Sequence, residues 1–308
     1  RKMKSVFNNE IIGAMASGIV DDMQAGLFRS GYSSIIRESH DASCAVLLSD
    51  ASLAAQKVVL PIHVGAFPAV IRGILDKYAI SEIYSGDCFV SNSPWEGGSP
   101  HNPDFAVATP VFYNDELVAF TASIAHKSDI GGSVPGSCPA NARDLFSEGL
   151  HIPPVRLYRN GEQNIDVISF ISGNSRSPSV VIGDLIGQAG VCIQGGARIE
   201  SLFDRFGKNE ILRSFTALRS KSLSSIKDNL GSIPDFSESS ERLMDHDGIN
   251  LEKPLAIRVK VTKQGAWITF DFSETDPQGI GPINIRPHLL NAACAYVMVS
   301  ITDPNLPI

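Results

Sequence analysis

The sequence is short of the features that mark several whole classes of protein. Charged residues make up only 19% of its 308 residues, against 43% hydrophobic, with 26 Gly and 18 Pro. That balance excludes a disordered, collagen-like or coiled-coil chain and suits a compact, loop-rich globular one. Lys and Arg number 26 against 33 Asp and Glu, a net charge of −7, and no dense basic stripe occurs. Nucleic acid and anionic membrane surfaces are therefore poor partners, which leaves small molecules and other proteins. The five cysteines, Cys44, Cys88, Cys138, Cys192 and Cys294, are an odd, scattered set without a CxxC, which argues against a disulfide framework or a zinc ribbon. No uninterrupted apolar run approaches the roughly 18 to 20 residues of a membrane helix, and Arg1 to Lys4 leads into an amphipathic pattern rather than a signal peptide. A cytoplasmic protein with reduced thiols is expected.

The length, about twice that of a usual domain, admits one large domain or two. Phe7, Ile11, Met15, Ile19, Met23 and Leu27 recur every four residues and predict a long amphipathic helix. Cys44 to Leu48 and Leu53 to Val59 read as a hairpin, and a second helix follows Pro61 as far as Tyr78. Strands are expected over Phe105 to Phe112 and Glu116 to Ile124, and helices over Pro178 to Phe206 and Asn209 to Leu230. Leu255 to Val261 and Ala266 to Phe272 form a further hairpin signal, and Leu289 to Ile301 an apolar helical stretch without an evident partner. The expected fold class is α+β, with mixed sheets and hairpins, long amphipathic helices, one large core and the start of a further domain. Residues 1–231 are the expected core domain, 232–241 a linker, and 242–308 the start of a region that continues in a longer polypeptide.

The chemistry-bearing residues gather in the first half: Asp41, His63, Asp87 and two copies of His-x-x-Asp, namely His101 to Asp104 and His126 to Asp129. Neutral imidazole with carboxylate is the ligand set of zinc, manganese or iron. In a turn, residues three apart converge, whereas in a strand they face opposite sides, and Pro103 favours a turn in the first copy. His63 reads at least as well as a histidine at the core edge that satisfies a carbonyl. Ser43, Ser99 and Ser137 lack the Gly-x-Ser-x-Gly setting of an exposed nucleophile, and no phosphate loop is present. Cys138 has no basic neighbour in sequence to lower its pKa, so the thiols are expected to be dispensable.

The succession Asp41-Ala-Ser43, Pro61-Ile-His-Val-Gly65, Gly97-Gly-Ser-Pro-His-Asn-Pro-Asp104, Ala125-His-Lys-Ser-Asp-Ile-Gly-Gly132, Pro135-Gly-Ser137 and Glu148-Gly-Leu-His-Ile-Pro-Pro154 resembles the hydantoinase B/oxoprolinase family. That resemblance implies a subunit of an ATP-dependent enzyme that opens cyclic amides or, alternatively, carboxylates ketones. A hydantoinase A type partner would bind ATP and phosphorylate the substrate oxygen, while this chain would supply a divalent transition metal. Carried over by motif, Asp41, His101 and His126 are the implied ligands, with Asp104 as a further or alternate one. Asp129 or Glu148 is then expected to move the proton. Three places depart from the family pattern. Asn92-Ser-Pro-Trp-Glu-Gly-Gly98 stands where an acidic segment is more usual, Asn102 follows His101 where a bulky apolar residue is expected, and Lys127 stands where a second histidine is frequent. The first departure also leaves room for a structural subunit with a degenerate site.

Overall fold

A computed structural model describes residues 2–57 and 59–303, with side chains from Asn8 onward. Val6 and Phe7 of the expected helical stripe, Val58 of the expected second strand, and residues 304–308 fall outside what can be described. Helix α1 (Lys2–Ser30) leads through a short α2 (Ser34–Arg37) into strands β1 (Ala42–Leu48) and β2 (Leu53–Lys57). After α3 (His63–Lys77) come β3 (Cys88–Ser91), β4 (Asp104–Tyr113), β5 (Glu116–His126), β6 (Val155–Arg159) and β7 (Glu162–Gln163). Three helices follow, α4 (Ile165–Asn174), α5 (Pro178–Phe206) and α6 (Lys208–Ser232). Strands β8 (Phe236–Met244), β9 (Leu255–Gln264) and β10 (Trp267–Asp271) then precede α7 (Pro287–Thr302).

Seven strands make one sheet in the order β2-β1-β5-β4-β3-β6-β7, and β10-β9-β8 make a second. Every described pairing is antiparallel, which gives the α+β class expected from the sequence. The β4–β5 register is set by Asn114 and Asp115, both at positive φ (50° and 60°), between the paired Tyr113 and Glu116. Two left-handed residues in a two-residue loop make the turn whose twist matches that of the flanking strands, and Asn and Asp tolerate the conformation best after glycine.

The large sheet is buried on both faces. Along β1, Cys44, Val46 and Leu48 join the cluster formed with α1 and α5, whereas Ala45 and Leu47 join Phe67, Val70 and Ile71 of α3 on the other side. This alternation follows from the period of two along a strand. The α1 stripe is matched inside the chain: Ile12, Ala16, Ile19, Val20, Met23 and Leu27 are all buried, packed beside Leu185, Ala189 and Ile199 of α5. Gly195 lets the two helices close up, since a Cβ there would lie 2.3 Å from the Met23 sulfur. Among the described residues, α5 is the one helix long and apolar enough to cross a membrane, yet its buried face packs on the sheet as a core helix does. Residues 232–241, expected as a linker, instead finish α6 and begin β8. The sequence there is Ser/Glu-rich because β8 is exposed along most of its length, so the apolar alternation of a half-buried strand is missing.

Candidate metal centre

The antiparallel register brings distant segments to one edge of the large sheet. Asp104 opens β4 and His126 closes β5, and the two are direct cross-strand partners. Asp41 precedes β1, and its carbonyl accepts the His126 N–H at 3.2 Å. His101 arrives through a turn in which the Asp104 N–H donates to the His101 carbonyl at 3.0 Å. The next residue along, Lys127, donates its N–H to the Pro103 carbonyl at 2.8 Å and ties the β5 exit to that same turn.

Three donor atoms converge there with nearly equal spacing. His101 Nε2 and His126 Nδ1 each lie 3.2 Å from Asp104 Oδ1, and the two nitrogens lie 3.2 Å from each other. Ligands about 2.0–2.2 Å from a shared cation are separated by roughly 2.8–3.6 Å across octahedral and tetrahedral geometries. The triangle fits that separation. His63 Nε2 stands 3.8 Å from the other Asp104 oxygen, and Asp41 Oδ2 3.9 Å from His126 Nδ1. Asp104 Oδ1 and His63 Nε2 are both buried without a hydrogen-bond partner of good geometry. Buried acceptors left so are costly, by about 1–3 kcal/mol each, and a cation would satisfy both.

The surroundings fix the donors. His63, fully buried at the start of α3, bonds through Nδ1 to Ser43 Oγ at 2.8 Å, which leaves Nε2 facing Asp104. Ser43, His63 and Asp104 thus form a hydroxyl–imidazole–carboxylate chain, but Ser43 is 0% exposed, so its hydroxyl orients the ring rather than attacking a substrate. Asn92, also fully buried, donates to the carbonyls of Asn102 and Leu150 at 2.7 Å and accepts from the Ile152 N–H at 2.6 Å, clasping the loops on either side. Lys127 turns inward, where its ammonium donates to Gln188 Oε1, and burial pulls its pKa down to about 8 against the opposing pull of Asp184 and Asp104.

Burial would raise the Asp104 carboxyl, but the imidazoles of His101, His126 and His63 outweigh it and hold the group well below the usual carboxylate range. His126 is likewise pulled down by burial, then pushed up to about 10 by Asp104, the Cys138 thiol and Asp41. Asp41 is raised by burial and by the Asp104 charge. This density of negative charge around two imidazoles is what a divalent cation would neutralise.

Beside the triangle opens a cleft of about 620 Å³, lined in part by Trp95, His101, Cys138, Arg143, Glu148 and Arg286. Glu148 ends a short 3-10 turn over residues 145–148, and burial raises its pKa. The first His-x-x-Asp copy closes on one site as the turn at Pro103 predicts, whereas the second does not. Asp129 lies away from the cleft lining and spends both oxygens on a loop: Oδ1 accepts from the N–H groups of Gly131 and Arg176, and Oδ2 from the Gly136 N–H and the Arg176 guanidinium at 3.1 Å. Burial is outweighed by these bonds and the pKa falls, which leaves Asp129 ill-suited to the proton transfer expected of it. Sequence reasoning also understated His63, whose local setting is equally that of a core histidine. It passed over Arg286, which meets Trp95 of the atypical 92–96 segment only across 190 residues of chain.

The hydantoinase B/oxoprolinase family pattern matches residues 6–308. The chain is 31% identical to the caprolactamase subunit beta of Pseudomonas jessenii, over 79% of this chain and 42% of that one. It is 28% identical to the acetophenone carboxylase delta subunit of Aromatoleum aromaticum, over 86% and 39% respectively. The crystal structure of the ATP-dependent caprolactamase from Pseudomonas jessenii superposes with a TM-score of 0.85 at 26% identity, covering 96% of this chain and 50% of that one. The chain thus spans half or less of each of these relatives. With its motifs in family order and its strand ends converging as described, the chain belongs to the hydantoinase B/oxoprolinase family.

Proposed function

We propose that this chain is the metal-binding catalytic part of an ATP-dependent enzyme that opens a cyclic amide, acting on a substrate that a hydantoinase A type partner has phosphorylated. The observation that carries this reading is the 3.2 Å triangle of His101, Asp104 and His126 beside an open cleft. These three residues would hold a divalent ion, zinc, manganese or iron, with Asp41 and His63 completing or steadying the set. When bound, such an ion supplies Lewis acidity toward an amide oxygen or a water molecule.

The residues of the chain do the rest. Glu148, half-buried on the cleft wall with a raised pKa, is suited to take a proton from water and return it to the leaving nitrogen. Ser43 holds the His63 ring so that it faces Asp104, and the Asn92 clasp keeps the His101 turn in place. The chain shows no phosphate loop, so activation of the substrate oxygen falls to the partner, in keeping with the ATP dependence named for the caprolactamase. The likeness to the acetophenone carboxylase delta subunit supports a second reading, in which the same cleft serves a phosphorylated enol on its way to carboxylation.

The test is turnover by the reconstituted complex against hydantoins, lactams, 5-oxoproline and ketones. ATP-dependent opening of a cyclic amide, lost on omission of either ATP or the partner, is the expected result. Turnover by this protein alone without ATP would overturn the reading and leave a simple metal-dependent amidohydrolase. ATP-dependent consumption of bicarbonate with a ketone would select the second reading.

A further inference from the structure

We infer that the cleft selects a substrate bearing a free carboxylate, and that Arg286 is the residue that recognises it. The inference rests on the reading of this cleft as the substrate site. Arg286 stands immediately before α7 and lines the same cleft as His101 and Glu148. It takes part in none of the ion pairs among the described residues, and its Nε is buried without a hydrogen-bond partner. Its guanidinium carbon lies 5.4 Å from the Trp95 ring centroid. At that distance the guanidinium is held beside the indole by cation–π attraction, and its terminal N–H groups can meet a carboxylate by two parallel bonds.

The neighbouring charges do not remove the need for an anion. Asp144 on the cleft wall makes no ion pair with Arg286, and its Oδ1 accepts from the Ser147 N–H at 2.9 Å and the Ser147 hydroxyl at 3.0 Å. Glu148 lines the same cleft and makes no ion pair with Arg286. Arg143 lines the cleft as a second unpaired cation. Trp95 is 56% exposed, so one part of the indole carries the arginine while another remains for an apolar ring. A neutral lactam or ketone would leave the guanidinium without a counter-charge. A substrate with its amide or carbonyl at the His101 end and a carboxylate at the Arg286 end would satisfy both.

The inference is tested by calorimetric titration of the protein, assembled with its ATP-binding partner, using matched pairs of compounds. The pairs are 5-oxoproline with 2-pyrrolidinone, hydantoin-5-acetate with 5-methylhydantoin, and levulinate with 2-pentanone. At least one carboxylate is expected to bind tenfold or more tightly than its neutral counterpart, as a charge-assisted pair implies at about ten- to hundredfold. Arg286→Gln should lose that preference, with metal content and affinity for the neutral compound unchanged, and Arg286→Lys should recover part of it. Equal affinity within every pair, or a preference that survives in Arg286→Gln, would overturn the inference and leave the proposed function standing. Inorganic phosphate bound more tightly than every carboxylate, and lost in Arg286→Gln, would assign the arginine to a phosphoryl group instead. Binding of none of the six compounds would overturn both this inference and the reading of the cleft.

Discussion

Two acids on neighbouring loops separate the roles that the centre needs. Glu148 lines the cleft with a raised pKa, whereas both oxygens of Asp129 are committed to backbone N–H groups and Arg176. Glu148→Gln should therefore lower kcat by about 10² to 10⁴, the usual worth of a positioned acid or base, with metal content and thermal midpoint unchanged. Asp129→Asn should do the reverse, costing about 1–3 kcal/mol of stability as its bonds to the loop and the arginine weaken. Denaturation curves and steady-state rates on the two variants check the pair of expectations, and a large loss of turnover in Asp129→Asn with the stability of the unaltered protein would contradict them. At this scale the His101–Asp104 pair was legible in the sequence because Pro103 marks a turn. The fate of His126–Asp129 was not, because His126 still belongs to extended β5 while Asp129 enters a loop closed by Arg176, 47 residues on. Cys138 has no basic neighbour in sequence, yet its thiol is among the groups that push the His126 pKa up. That effect depends on how the 131–138 loop folds back, which residue types alone do not specify.

Close packing between elements holds the His101 loop in place. Gly73 of α3 admits the Glu96 carbonyl so tightly that a Cβ there would lie 1.8 Å from its oxygen, and the contact is with backbone rather than with a flexible side chain. Gly73→Ala should push the 92–103 loop away from α3, at a cost of about 1–3 kcal/mol, and should weaken metal retention along with stability. Unchanged urea midpoint and metal content in that variant would show that the loop is not held by this contact.

The region around the small sheet offers a pH-dependent counterpart. Asp247 accepts from the N–H groups of Asn250, Ile249, Ile280 and Gly281, and these bonds hold its pKa near about 2. Because the folded value lies below the unfolded one of about 3.9, the stabilisation is complete above roughly pH 4 and is lost as the pH falls toward 2. Asp247→Asn should lack that acid-side loss, a difference read from urea midpoints measured between about pH 5 and 2. Most elements could be read from spacing in the sequence, β4 and β5 most closely, since burial on both faces makes each a nearly continuous apolar run. Strand β8 could not, because a polar, exposed strand carries no hydrophobic period to detect.

Taken whole, the molecule matches its own long helices: α1 lies against α5 and α6, and α7 against α3. The apolar length of α1 is thus no argument for a partner, although Tyr296, Val297 and Ile301 of α7 do remain partly exposed. The case for a partner rests instead on relatives described as subunits. The central claim is that one divalent transition metal is held by His101, Asp104 and His126. Its most direct test is metal stoichiometry by plasma emission on purified protein, unaltered and as His101→Ala. His101 is the most informative site to change, because its side chain is 43% exposed and its loss should leave the core intact. The unaltered protein should carry one zinc, manganese or iron ion per chain, and His101→Ala should lose most of it with its thermal midpoint little changed. Full occupancy in His101→Ala, or no transition metal retained by the unaltered protein after metal loading and dialysis, would contradict the account.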